Sequence, residues 1–99
     1  IFLLFEHFPS NERFGLIAQM SRCSISIPSN IAEGSSRSEK AFSHFIDISL
    51  GSSFELETQL IIAYREKYLT EEKYNILIKK TFYLLLLMCQ NQNRSSLKL

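Results

Sequence analysis

Apolar residues recur every three or four positions along most of this chain, and nowhere do they alternate with period two. Leu16, Met20, Cys23, Ile27 and Ile31 fall at spacings of 4, 3, 4 and 4, the stripe that a helix turns toward a core. Ser10 or Asn11 can cap that helix, Glu12 suits the positive end of its dipole, and Gly34 is its natural stop because glycine accepts the left-handed conformation. The pattern predicts a helix over 12–33. Ser36-Arg37-Ser38-Glu39 reads as a capping box, a hydroxyl at the cap and a carboxylate three residues on. It opens a helix over 37–68 with Phe42, Phe45, Ile46, Ser49, Leu56, Leu60 and Ala63 on one face. Thr70 with Glu71 and Glu72 opens a last helix over 71–93, whose inward stripe is Tyr74, Leu77, Ile78, Thr81, Leu85, Met88 and Gln92. In front, residues 1–7 read as the tail of an apolar helix whose beginning is missing, ended by Pro9, which disfavours a helical Phe8.

The chain is therefore expected to be all-α. Its short turns make neighbouring helices antiparallel, which gives an up-down four-helix bundle in one domain over 1–99, its first helix largely missing from this chain. Pro28 removes a backbone bond inside the first full helix and predicts a kink between 24 and 28. Ser49, Gly51, Ser52 and Ser53 place small side chains where another helix is expected to approach closely. Residues 82–88 are apolar without exception, and a helix apolar on all sides is buried on all sides. In so small a bundle the second partner is another subunit, so self-association is expected. The run is too short for a membrane span, which takes about twenty residues.

Charge narrows the functional classes. Among 99 residues there are 11 basic and 10 acidic side chains, for a formal charge of +1, so the surface as a whole is no electrostatic trap for nucleic acid. A local patch remains possible: Lys79 and Lys80, with Lys73 on the same helix and Arg37, are the candidate nucleic-acid-binding residues. Cys23 and Cys89 sit in apolar stretches and are expected as buried thiols of a reducing cytoplasm. The opening stretch has no basic leader and no cleavage site, so it is not read as a signal peptide.

Catalytic motifs are not found. Glu33 and Glu55 could meet across two helices, but no nucleophile or orienting base accompanies them, and no catalytic residue is assigned. A di-iron bundle needs Glu-x-x-His motifs. Neither His7 nor His44 fits one, and both are read as solvated surface groups. No metal, cofactor or small-molecule substrate is expected, and Gly34 and Gly51 do not make a phosphate loop. Gln19, Arg22, Asn30, Glu33, Glu55 and Glu57 are read as a hydrogen-bonded polar network that fixes helix register and subunit contacts, because buried polar groups must find partners.

The stretches FPSNERFGLIAQMSRCSISIPSNIAEG and FSHFIDISLGSSFELETQL resemble the four-helix-bundle proteins encoded by intervening sequences of bacterial 23S rRNA genes. Phe8-Pro9, Glu12, Gly15-Leu16, Gln19, Arg22, Ser26-Ile27, Asn30-Ile31-Ala32-Glu33-Gly34, Arg37, Gly51-Ser52 and Glu55-Leu56-Glu57 carry the likeness. It implies a left-handed up-down bundle assembled as a homopentamer, with about a helix of chain before Ile1. Some relatives serve as accessory proteins of diversity-generating retroelements and bind reverse transcriptase and nucleic acid. Ser21 stands where the family usually has a second basic residue, and Ser49 where alanine is usual.

These readings converge on a non-enzymatic, cytoplasmic, oligomeric helical scaffold that binds RNA, DNA or a nucleic-acid-handling protein such as a reverse transcriptase. The alternative is a pure protein–protein assembly module.

Overall fold

The computed structural model describes residue 5, residues 8–12 and residues 15–97, the last seven by backbone alone. Among them are three long helices and no strand, namely α1 (Leu16–Ser35), α2 (Glu39–Arg65) and α3 (Glu71–Leu97), with a 3-10 turn at Ser10–Glu12 before them. The all-helical expectation holds. The leading helix expected over 1–7 lies outside the described residues except for Phe5, as does the side chain of Gln92.

The helix ends differ from the expected ones: α3 runs on to Leu97, and the differences in α1 and α2 have local causes. α1 begins later than position 12. The 3-10 turn takes up Ser10–Glu12, and Glu12 Oε2 accepts the backbone N–H of Leu16 at 3.1 Å, satisfying one of the donors that a helix start leaves bare. At its other end α1 runs through Gly34 to Ser35, and no described glycine has a positive φ. Gly34 is thus not a left-handed stop. A Cβ at this position would stand 2.7 Å from Phe45 Cβ, so glycine is needed for α2 to approach this closely. The neighbouring serines end the helix instead. Ser35 Oγ donates to the Ala32 carbonyl at 2.8 Å and Ser36 Oγ to the Glu33 carbonyl at 2.9 Å. Ser38, not Ser36, caps α2, accepting the Ala41 N–H at 3.2 Å.

α2 stops at Arg65 rather than near Tyr68. Lys67 takes a φ of 65°, the Tyr68 N–H reaches the Ala63 carbonyl at 2.9 Å, and the Lys67 N–H reaches the Tyr64 carbonyl at 3.0 Å. This is the paired-bond termination motif that usually recruits glycine. Thr70 then opens α3, its Oγ1 accepting the Lys73 N–H at 3.2 Å.

Both α1 and α3 pack on α2 and run antiparallel to it. Leu16, Met20, Cys23 and Ile27 of α1 share one core cluster with Leu56, Leu60 and Ala63 of α2, with Tyr74, Leu77 and Ile78 of α3 against it. Toward the start of α2, Ile46 and Leu50 meet Leu85 and Met88 of α3 in a second cluster. The predicted stripes are therefore the core stripes. Burying a Leu, Ile or Met side chain contributes about 1.5–3 kcal/mol, so these contacts dominate the packing. The stack of Tyr64 on Tyr74, centroids 4.4 Å apart, ties the end of α2 to the start of α3.

The small residues of α2 divide by direction. Ser49 and Ser53 are fully buried, and Ser49 Oγ donates across the helix contact to the Ile27 carbonyl at 3.0 Å. Ser52 lies at the edge of that contact, whereas Gly51 faces outward with nothing near the position of its missing Cβ. The expectation of close approach holds for the serines and fails for Gly51. Pro28 sits on the exposed side of α1, which continues across it without interruption. Of the two cysteines expected as buried thiols, Cys23 is buried, but Cys89 lies on the outward face of α3, and both thiols are free.

Candidate functional site: the two flanks of helix α2

Beside its buried face, α2 carries two flanks of opposite character. The flank toward α1 is polar. Gln19, Arg22, Cys23 and Ser26 from α1 and Ser52, Glu55 and Gln59 from α2 line an open groove of about 540 Å³. The α1 residues follow one another at helical spacing, beside the apolar stripe and one step around the helix from it, and Ser52, Glu55 and Gln59 do the same on α2.

Hydrogen bonds join the walls. Gln59 Nε2 donates to Cys23 Sγ, and Cys23 Sγ donates to Glu55 Oε2, each at 3.6 Å. Ser26 and Ser52 share a bond at 3.0 Å, and Asn30 Nδ2 donates to both the carbonyl and the Oγ of Ser26, at 2.8 and 3.0 Å. Burial pushes the Cys23 thiol above its ordinary pKa, and the Glu55 carboxylate raises it further, against the lowering effect of the Gln59 hydrogen bond and of Arg22. The thiol is therefore held protonated, a bridge between two α2 side chains rather than a nucleophile. Gln59 is only 7% exposed, and its Oε1 has no partner. Such an orphaned buried acceptor costs about 1–3 kcal/mol.

The expected six-residue network is divided. Gln19, Arg22 and Glu55 reach the groove, and Asn30 joins it through Ser26. Glu33 does not meet Glu55. It lies further along α1 and pairs with Arg37 on the exposed surface. Glu57 lies on the opposite flank of α2. Sequence reasoning missed Ser26, Ser52 and Gln59 as groove residues and read Cys23 only as core. The available signal was the 3- and 4-residue spacing of Ser52, Glu55 and Gln59, parallel to that of Gln19, Arg22 and Ser26.

The flank toward α3 is apolar. Glu57 of α2 and Ile78, Lys79, Phe82, Tyr83 and Leu86 of α3 line a second groove of about 430 Å³. In the run 82–88 only Leu85 and Met88 are buried, while Phe82 and Tyr83 are 60% and 64% exposed and Leu84, Leu86 and Leu87 are exposed as well. The run was expected to be covered on all sides, and on this chain its outer side is open.

The four candidate cations fall in two places. Arg37 stands at the turn before α2, where its guanidinium pairs with Glu33 and lies 5.4 Å from the centre of the Phe45 ring. Lys73 stands in the first turn of α3, at the other end of α2. The 27 residues of α2 separate these ends by about 40 Å. Lys79 and Lys80 are exposed between them, Lys79 at the mouth of the apolar groove. On one chain, the three lysines share α3 and Arg37 stands apart. His44 is exposed, as expected, while His7 lies outside the described residues.

Among the described residues no three His, Cys, Asp or Glu side chains gather as a metal site, and no helix is long and apolar enough to cross a membrane. A family model described as 23S rRNA-intervening sequence protein matches residues 1–88. The chain belongs to that family, as the residues around the α1–α2 groove had suggested. No curated protein matches it.

Proposed function

Taking that membership as premise, we propose that the chain is a non-enzymatic helical scaffold that assembles with copies of itself through the outer face of α3. One observation carries the reading: Phe82, Tyr83, Leu84, Leu86 and Leu87 are exposed together on a single helix. Contiguous apolar surface of this kind marks a contact surface rather than a solvated face. The reading includes an up-down four-helix bundle as the repeating unit, and the family resemblance favours five copies. Catalysis is left out of the reading because the Cys23 thiol is held protonated and Glu33 and Glu55 stand apart. The test is the mass of the full chain by light scattering across protein concentration. A multimer of the 11.5 kDa chain supports the reading, and a monomer throughout removes it.

A nucleic-acid role for the same cytoplasmic assembly is favoured by the placement of Lys73, Lys79 and Lys80 on α3 beside the apolar face. Repetition around a closed assembly would bring these lysines into a ring and raise the local potential. Fluorescence anisotropy with structured RNA and duplex DNA at two salt concentrations tests it. Binding that weakens steeply with salt and is lost on neutralising the three lysines together supports phosphate contacts. Binding that persists without them, or no binding at low salt, leaves a protein–protein assembly module.

A further inference from the structure

The α1–α2 groove is polar, open and incompletely satisfied, and the assembly reading makes no use of it. Its α2 wall presents acceptors. Gln59, more than nine-tenths buried, spends its Nε2 on Cys23 and leaves Oε1 without a partner. One helical turn before it, Glu55 accepts the Cys23 thiol on Oε2 and keeps the capacity of its other oxygen. The α1 wall presents donors, with Arg22 and the Gln19 amide at the rim. Among the described residues, neither Arg22 nor Glu55 is in an ion pair, although both act electrostatically on Cys23 between them.

These features constrain an occupant. Arg22 and Glu55 cancel in charge, so a bare cation meets the guanidinium and a bare anion meets the carboxylate. A neutral group with a donor on one side and an acceptor beside it meets neither penalty. We propose that the groove binds a small neutral ligand by a cis-amide edge, an N–H next to a C=O, the edge that uracil and guanine carry. The N–H donates to the exposed Glu55 carboxylate, and the C=O accepts from the exposed Arg22. A groove of about 540 Å³ lies within the range that admits a nucleoside.

The test is a titration of the isotope-labelled full chain with uridine, following the Gln59 side-chain amide and the Cys23 and Glu55 backbone signals by NMR. The expected result is a saturable shift of these signals with millimolar affinity. Uridine methylated at its ring N–H is expected to bind at least about tenfold more weakly, because the donor is gone. Arg22→Met and Glu55→Gln are expected to weaken uridine by about tenfold each. Arg22 and Glu55 are exposed, so both variants should unfold at the wild-type temperature. The proposal is overturned by the absence of a saturable shift, by equal binding of the methylated nucleoside, or by binding that survives both substitutions. Groove signals that move on dilution of the protein alone would also overturn it, since the occupant would then be a second copy of the chain.

Discussion

Helix α2 has two flanks, and they solve the same problem in opposite ways. Toward α1 the space beside the core is lined by Gln19, Arg22, Ser26, Ser52, Glu55 and Gln59, and three hydrogen bonds cross the helix pair there while other polar atoms stay open to a ligand. Toward α3 it is lined by Ile78, Phe82, Tyr83 and Leu86, with Glu57 and Lys79 at the edges. A polar groove gains little from being covered unless the covering group matches its donors and acceptors, whereas an apolar one gains from almost any apolar cover. The first flank is thus suited to selecting a ligand and the second to assembling subunits.

The comparison can be broken or sharpened by substitution. The largest effect on stability is expected at Gly34, where the α1–α2 pair is closest. Gly34→Ala forces its new Cβ against Phe45 and should cost about 1–3 kcal/mol in urea unfolding. An unchanged midpoint would mean that the two helices are free to separate there. On the polar flank, Gln59→Leu removes the orphaned Oε1 together with the weak bond to Cys23. It should leave stability unchanged or raise it by about 1 kcal/mol. A loss well beyond that size would show Gln59 to be structural.

Smaller again, Gly51→Ala on the outward side of α2 should stabilise by about 0.5–1 kcal/mol, because nothing occupies the space and alanine favours the helix. The smallest effect concerns pH. The folded thiol of Cys23 titrates above its unfolded value, so the folded state holds the proton longer. Its contribution is complete below the unfolded thiol pKa, about 8.5, and is lost as pH rises through the higher folded value. Urea midpoints of the wild type should therefore fall faster above about pH 8.5 than those of Cys23→Ala. Parallel curves would remove the bridging role given to the thiol.

How much of this could be read from the sequence depends on the kind of signal. The core stripes of Leu16, Met20 and Ile27 and of Leu56, Leu60 and Ala63 were legible because burial leaves a strict helical period. The helix ends were less so. Ser35, Ser36 and Ser38 all carry a hydroxyl that can cap, and only the backbone path decides that the first two bond backward into α1 and the third forward into α2. Lys67 occupies a left-handed position that sequence rules reserve for glycine, so the end of α2 gave no local cue. Glu33, Glu55 and Glu57 looked alike as polar residues near one corner. Their separation onto a surface pair, a groove and the opposite flank depends on which neighbours α2 receives on each side, and that is tertiary information.

The claim that the two flanks have different tasks is tested most directly by crossing two variants in one measurement of mass by light scattering. Phe82→Ser with Leu86→Ser alters the apolar flank, and Glu55→Gln alters the polar one. The account predicts that the wild type and Glu55→Gln share one multimeric mass, while the double variant falls to the 11.5 kDa chain with its helix content retained. A double variant that keeps the wild-type mass, or a Glu55→Gln chain that dissociates, would contradict it.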